Sequence, residues 1–280
     1  YTLVKTLAAK YNLPVPIDIE GMVSETYIYI AKEFLWNENP QKTDCYYNAI
    51  AIYQEMLSMV TTQNDPARGA EIHKKIGYIT TELAKHQDRF LNCQRAIQAH
   101  NEALKYFTKE NYPLDYAMTQ ANLGVSYGIL AQIKDISVNC KKAIKAFGES
   151  LKIYTLASFP MNYIICHNNL GTCYCILAEN EESRENYGLA VENYQKALKG
   201  CSVDSFPELY AATNYNLGLI YLSHGGNSGN EERVEVLSQA IQFFEAALKI
   251  KNIENFPFDY VNIQQQLGNA YLEKARLLNE

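Results

Sequence analysis

The chain of 280 residues has no stretch of 18 uninterrupted apolar residues, no basic-then-apolar opening and no stripe of Lys and Arg. The first absence argues against a membrane-spanning helix and the second against a secretory signal. The third removes the surface that would release counterions from a phosphate backbone, and 25 basic against 31 acidic side chains leave a net charge of −6. These features predict a soluble, cytoplasmic protein with neither nucleic acid nor membrane as partner. No Gly-Lys-Ser/Thr triplet closes the glycine-rich segment at 225–229, so a phosphate-cradling loop is not expected there. Seven cysteines form an odd count, and Cys93 and Cys140 share a position that other copies of the repeat below fill with Tyr187 and Leu237. A site that takes Cys, Tyr or Leu is a packing site.

What is present is self-similarity. Tyr112-Pro113, Phe159-Pro160, Phe206-Pro207 and Phe256-Pro257 each precede a Leu-Gly pair, at Leu123-Gly124, Leu170-Gly171, Leu217-Gly218 and Leu267-Gly268. The glycines step 47, 47 and 50 residues, and one further step back from Gly124 reaches Gly77, with Pro66 ahead of it. A fixed period of this kind marks a stacked repeat, which grows as one continuous core.

Each unit is expected to open with an aromatic residue held extended by proline, the proline then standing in the first turn of a helix A. Apolar and small residues from Tyr116 to Leu130 recur at three- and four-residue steps, the helical period. Glycine in mid-helix costs about 1 kcal/mol, and its recurrence predicts a neighbouring backbone at close approach. After a polar turn, helix B carries Ala143, Phe147 and Ser150, matched by Ala190, Tyr194 and Ala197, by Ala240, Phe244 and Ala247, and by Ala96, His100 and Ala103. Small, large, small at steps of four and three is a close-packed seam. Both helices are expected to run about 18–20 residues.

The Leu-Gly pair, a tyrosine three later, then Ala, aromatic and Ala on helix B, closed by proline, resemble the tetratricopeptide repeat. The copies are longer than the 34-residue form and resemble the elongated repeats of prokaryotic multi-repeat proteins and, more loosely, of kinesin light chains. The resemblance implies an all-α fold: a right-handed superhelical solenoid of antiparallel helix hairpins with helix A on its concave side. The expected divisions are an N-terminal segment at 1–23, a degenerate copy at 24–65, copies at 66–112, 113–159, 160–206 and 207–256, and a half copy at 257–280, all in one domain. In the degenerate copy Ile30-Ala31 and Phe34 stand for the Leu-Gly and tyrosine of helix A.

If helix A lines a groove, positions six and three before the glycine, and one and four after it, form one stripe. The stripe is mostly small, apolar or neutral, including Asn168, Ala212, Tyr215, Leu219, Leu222, Asn262, Asn269 and Leu272. Relatives that grip acidic tails carry Lys before and Asn after this glycine. Only Lys74 partly fits, with Tyr78 in the asparagine's place, so a carboxylate clamp is not expected. Two residues before the glycine stand Lys75, Asn122, Asn169, Asn216 and Gln266. Each amide offers a donor and an acceptor, the pair that holds an extended peptide backbone without reading charge. The column resembles the asparagine ladders of kinesin light chain and of the superhelix of O-GlcNAc transferase. The other reading is that these amides bond to the adjacent repeat.

Cys166, His167, Cys173 and Cys175 crowd one helix, yet Cys175 points away from Cys173, so no metal site is expected. No nucleophile, base and carboxylate assemble, and neither an enzyme nor a cofactor is implied. The reading is a non-catalytic scaffold that binds a partner peptide or helix, using Asn122, Asn169, Asn216 and Gln266 as backbone grips with Asn168, Tyr215 and Asn269 beside them. The alternative is a sensor or regulatory arm of a larger signalling protein, linked to an NTPase or protease. A first residue other than Met and a stop in mid-repeat predict a piece of a longer polypeptide. Leu267, Ala270, Tyr271 and Leu277 of the last helix are read as apolar side chains available for self-association.

Overall fold

The computed structural model of the chain describes residues 21–26, 28–29, 40–63, 65–181, 183–224 and 230–278. Most of the N-terminal segment, the pair Ile30-Ala31, Phe34 and the glycine-rich loop at 225–229 lie outside the described residues. Among the described residues the regular structure is helical, with no strand. None of these helices is long and apolar enough to cross a membrane.

Two compact units divide the chain, Tyr1–Ile153 and Tyr154–Glu280. The first holds α1 (Pro40–Gln63), α2 (Pro66–Ala84), α3 (Arg89–Leu104), α4 (Pro113–Ala131) and α5 (Ile136–Ser150). The second holds α6 (Pro160–Glu181), α7 (Arg184–Leu198), α8 (Pro207–His224), α9 (Asn230–Leu248) and α10 (Pro257–Leu278). Within each unit every helix packs on the next in sequence. Contact also joins α2 to α4, α6 to α8 and α8 to α10, so the helix A members are closely spaced along one edge of each unit. No contact of that extent joins successive helix B members among the described residues. That arrangement is an all-α stack of hairpins, α2/α3 and α4/α5 in one unit, α6/α7 and α8/α9 in the other.

Proline sets the start of each helix A, where its missing N–H would have had no partner. The aromatic residue before it supplies the carbonyl that starts the helical ladder: Tyr112, Phe159, Phe206 and Phe256 accept from the N–H groups of Tyr116, Tyr163, Tyr210 and Tyr260, each at 2.9 Å. The expectation that all these aromatics are extended fails at Phe206. Tyr112 has φ −138°, but Phe206 has φ 55°, because it takes the chain out of a tight loop closed by the Ser202 N–H on the Ser205 carbonyl at 2.7 Å. Helix B is also shorter than expected in α3, α5 and α7, at 16, 15 and 15 residues. In the first two hairpins Asp88 and Asp135 take left-handed φ of 45° and 49° in the turn ahead of helix B, a conformation that Asp tolerates better than most residues.

The repeated glycine is explained by a ring, not by a backbone. A methyl group added at Gly124 would lie 2.8 Å from the Phe147 ring, and one at Gly77, Gly171 or Gly218 would lie 2.5, 2.7 or 2.5 Å from His100, Tyr194 or Phe244. Each helix A thus opens a socket at its glycine, and the aromatic residue of the following helix B fills it. Seven residues to either side of the glycine the seam continues, with Ala70 clustered with Ala103, Ala84 with Cys93, Ile164 with Ala197, and Ala211 with Ala247. The alanines of the helix B seam at 96, 103, 143, 190, 197, 240 and 247 are fully buried, as are Cys93 and Cys140.

Candidate peptide-binding face

The stripe residues fall on the closely spaced helix A edge of each unit. Asn122 lies on α4 of the first unit; Asn168, Asn169, Tyr215, Asn216, Gln266 and Asn269 lie on α6, α8 and α10 of the second. The structure therefore brings six of the seven candidate residues into one unit and leaves Asn122 in the other.

The amides do not behave alike. Asn216 donates from Nδ2 to Oδ1 of Asn168 at 3.1 Å, a bond between adjacent repeats that consumes part of both side chains. For this pair the inter-repeat reading of the column applies. Among the described residues, the half-buried side chains of Asn122, Asn169 and Gln266 make no such bond, and Asn269 is exposed. A half-buried amide with unspent donors and acceptors retains hydrogen-bonding capacity for a ligand. Asn214, two positions before Asn216, spends its Nδ2 on the Tyr210 carbonyl at 2.8 Å and is buried.

Beside α8 and α10 lies a cavity of about 170 Å³ lined by Ala211, Ala212, Tyr215, Lys251, Asp259, Asn262 and Ile263. Its aromatic wall is Tyr215, whose ring sits 6.0 Å from that of Phe244, tilted by 54°. Burial, with the Asp259 carboxylate as a smaller contribution, raises the Tyr215 phenol above its ordinary range, so it stays protonated and able to donate. Lys251 pairs with Asp259 at 2.8 Å and lies 3.8 Å from the Phe256 ring centroid. The cavity thus combines an apolar floor with a charge pair that neutralises itself. Lys251 and Asp259 were not legible as site residues, because both fall outside the glycine-referenced stripe. The signal available was a lysine just after helix B followed by an acid in the first turn of the next helix.

In the first unit the same edge carries charge, but the charge is used internally. Lys74 is buried, 2.6 Å from both Glu71 and Asp115, and lies over the Phe107 ring. Lys75 is paired with Glu25. Each ammonium is thus paired within the chain.

The cysteines pack. Cys166 and Cys173 are buried, and burial pushes the Cys175 thiol up to about 12. Among the described residues no group of three or more His, Cys, Asp or Glu side chains is placed to hold a metal ion. His167 is buried against Asn193, Nδ1 to Oδ1 at 2.8 Å, with the Tyr163 ring 4.3 Å away and inclined at 63°.

No protein-family model matches this chain, and no curated protein matches it.

Proposed function

We propose that this protein is a non-catalytic interaction scaffold that holds an extended peptide along the helix A edge. The observation that carries the reading is the second unit's combination of unspent amides, Asn169 and Gln266, with the Tyr215 cavity on the same set of helices. The amides hold the backbone of the peptide through paired donors and acceptors, independent of its charge. The cavity takes one medium-sized apolar side chain, and the phenol of Tyr215 is available to a carbonyl at its mouth. The resemblance to tetratricopeptide repeats, with the right-handed superhelix and concave groove it implies, supports the same reading. A neutral, mostly apolar stripe selects a ligand of low charge over an acidic tail.

The test is to pan a displayed library of random peptides on the 280-residue chain and measure the enriched peptides by fluorescence anisotropy. The double variant Asn169→Ala, Gln266→Ala and the single variant Tyr215→Ala are each expected to weaken binding by about tenfold or more, as for central contacts of an interface. Enriched peptides that bind all three proteins equally would refute the reading, as would a failure to enrich any sequence.

A further inference from the structure

Leu267 and Ala270, read from the sequence as available for self-association, are buried in the second unit's own core. A larger unfilled space lies in the first unit, lined by α1, α2 and α3: a cavity of about 580 Å³ that shares Leu57, His73 and Glu102 with an adjoining one of about 380 Å³. The residues of α2 that line the larger cavity, His73, Ile76 and Thr80, stand on a different face of that helix from Glu71, Lys74 and Tyr78 of the helix A edge. An internal comparison accounts for the space. Four residues before the glycine, α2 carries His73 and α6 carries His167, while the matching helix B positions hold Ala99 in α3 and Asn193 in α7. In the second unit Asn193 bonds the imidazole, Nδ1 to Oδ1 at 2.8 Å. In the first unit alanine stops short of that bond. The half-buried His73 makes no hydrogen bond among the described residues and lines the cavity together with Ala99.

We infer that this cavity is a second binding site, for a small monoanion that joins a carboxylate to an extended apolar body. Its volume falls in the range of about 300–1,000 Å³ that holds small ligands. Ile50, Leu57, Ile76 and Ala99 receive the apolar body, and beyond Leu57 the adjoining cavity continues the same lining with Val60 and Ala70. The charge balance of the lining selects the head group. Both carboxylate oxygens of Glu102 accept from Lys105, at 2.7 and 2.6 Å. Exposed Arg95, two turns earlier on α3, is in no ion pair among the described residues. Its planar fork matches a carboxylate, and the two turns, about 10 Å at 1.5 Å per residue, keep that carboxylate clear of Glu102. Burial lowers the His73 imidazole below its ordinary range, against a smaller opposing pull from Glu102. The ring is therefore uncharged at neutral pH and offers a donor and an acceptor, not a second positive charge. One unpaired cation with a carboxylate on the same lining favours a monoanion over a dianionic phosphate.

The probe is sodium octanoate, titrated into the 280-residue chain by isothermal titration calorimetry, with octanol and octyl phosphate as head-group controls. Saturable octanoate binding is expected, and it should be tighter by about tenfold or more than binding of either control or than octanoate binding to an Arg95→Gln chain. Ala99→Asn supplies the partner that His167 has in the second unit and should abolish octanoate binding with helicity by circular dichroism unchanged. The ring nitrogen resonances of His73, assigned with a His73→Gln chain, should move on saturation with octanoate in the parent and stay in place in Ala99→Asn. If Ala99→Asn loses helicity, the Arg95→Gln titration and the His73 resonances of the parent decide the matter. Octanoate binding that is absent at millimolar concentration, or that leaves the His73 resonances unmoved, overturns the inference. Octyl phosphate binding as tightly as octanoate, or octanoate binding unchanged in Arg95→Gln, overturns the assignment of the head group.

Discussion

Replacing the recurrent glycine by alanine should have opposite effects at Gly124 and Gly268, although both occupy the same place in the repeat. At either site the substitution removes the backbone freedom of glycine, which favours the helix by about 1 kcal/mol. At Gly124 the added methyl would lie 2.8 Å from Cε1 and 2.9 Å from Cδ1 and Cζ of Phe147. The ring belongs to a fully buried side chain in a close-packed seam, so relief requires the two helices to separate, and overpacking of this kind costs about 1–3 kcal/mol. The net expectation is a loss of up to about 2 kcal/mol at Gly124 and a gain of up to about 1 kcal/mol at Gly268, where no atom meets the methyl. Exposed Gly148 and Gly188, within helix B members and likewise without neighbours, should behave as Gly268 does. The assay is urea unfolding followed by circular dichroism at 222 nm, with the midpoint shift as readout. Phe147→Leu supplies the coupling test: in that background Gly124→Ala should lose most of its penalty, since neighbouring substitutions are non-additive. Gly124→Ala and Gly268→Ala shifting the midpoint in the same direction would refute the socket explanation.

Two further outcomes follow from buried groups. His100 fills the Gly77 socket with Nδ1 unpartnered and its imidazole depressed to about 3 by burial. The unfolded state, with an ordinary value of about 6.5, takes the proton first, so this contribution to stability is complete above that value and declines as pH falls from 6.5 towards 3. The slope is about 1.4 kcal/mol per pH unit; His100→Phe should flatten unfolding midpoints between pH 7 and 5, and an unchanged slope would contradict the assignment. A thiol reagent at pH 8 should meet little reactivity in the native state. Five of the seven cysteines are buried, and burial pushes the Cys93 and Cys201 thiols up to about 11, so fast labelling of more than two groups before denaturant is added would show the seam to be open.

Much of the fold was legible because the repeat states each contact several times. Proline before helix A, the alanines of helix B and the position of the aromatic residue all took the places that period and spacing assign. The partner of the glycine was misassigned because sequence shows that space is scarce, not what occupies it. A ring twenty-three to twenty-six residues away leaves the same signature as a neighbouring backbone. Phe206 escaped because its left-handed φ depends on a loop contact between Ser202 and Ser205 that no periodicity encodes. The candidate site was legible only as a set of positions. That Asn216 spends itself on Asn168, while Asn169 and Gln266 do not, depends on rotamers, and the Lys251 and Asp259 pair depends on where one hairpin delivers the next.

The socket also explains why function can vary on this scaffold without loss of the fold. One face of helix A is committed: glycine, its neighbours seven residues away and the ring that covers it leave no freedom in size, and His100, Phe147, Tyr194 and Phe244 agree in being flat more than in polarity. The position three residues before that glycine carries no such demand, which is why it holds Lys74, Ala121, Asn168, Tyr215 and Gln265 in successive copies. Packing is enforced at a period of one repeat, while the exposed chemistry changes at every step. Under the proposed function, a surface built in this way would read a ligand as a series of independent contacts. Exchanging Tyr215 for the alanine found at the same position in α4 should therefore alter what the second unit binds at a cost of about 1–2 kcal/mol in stability, since its half-buried ring packs beside Phe244. A loss of stability well beyond this in Tyr215→Ala would show that this ring belongs to the core and not to the recognition face.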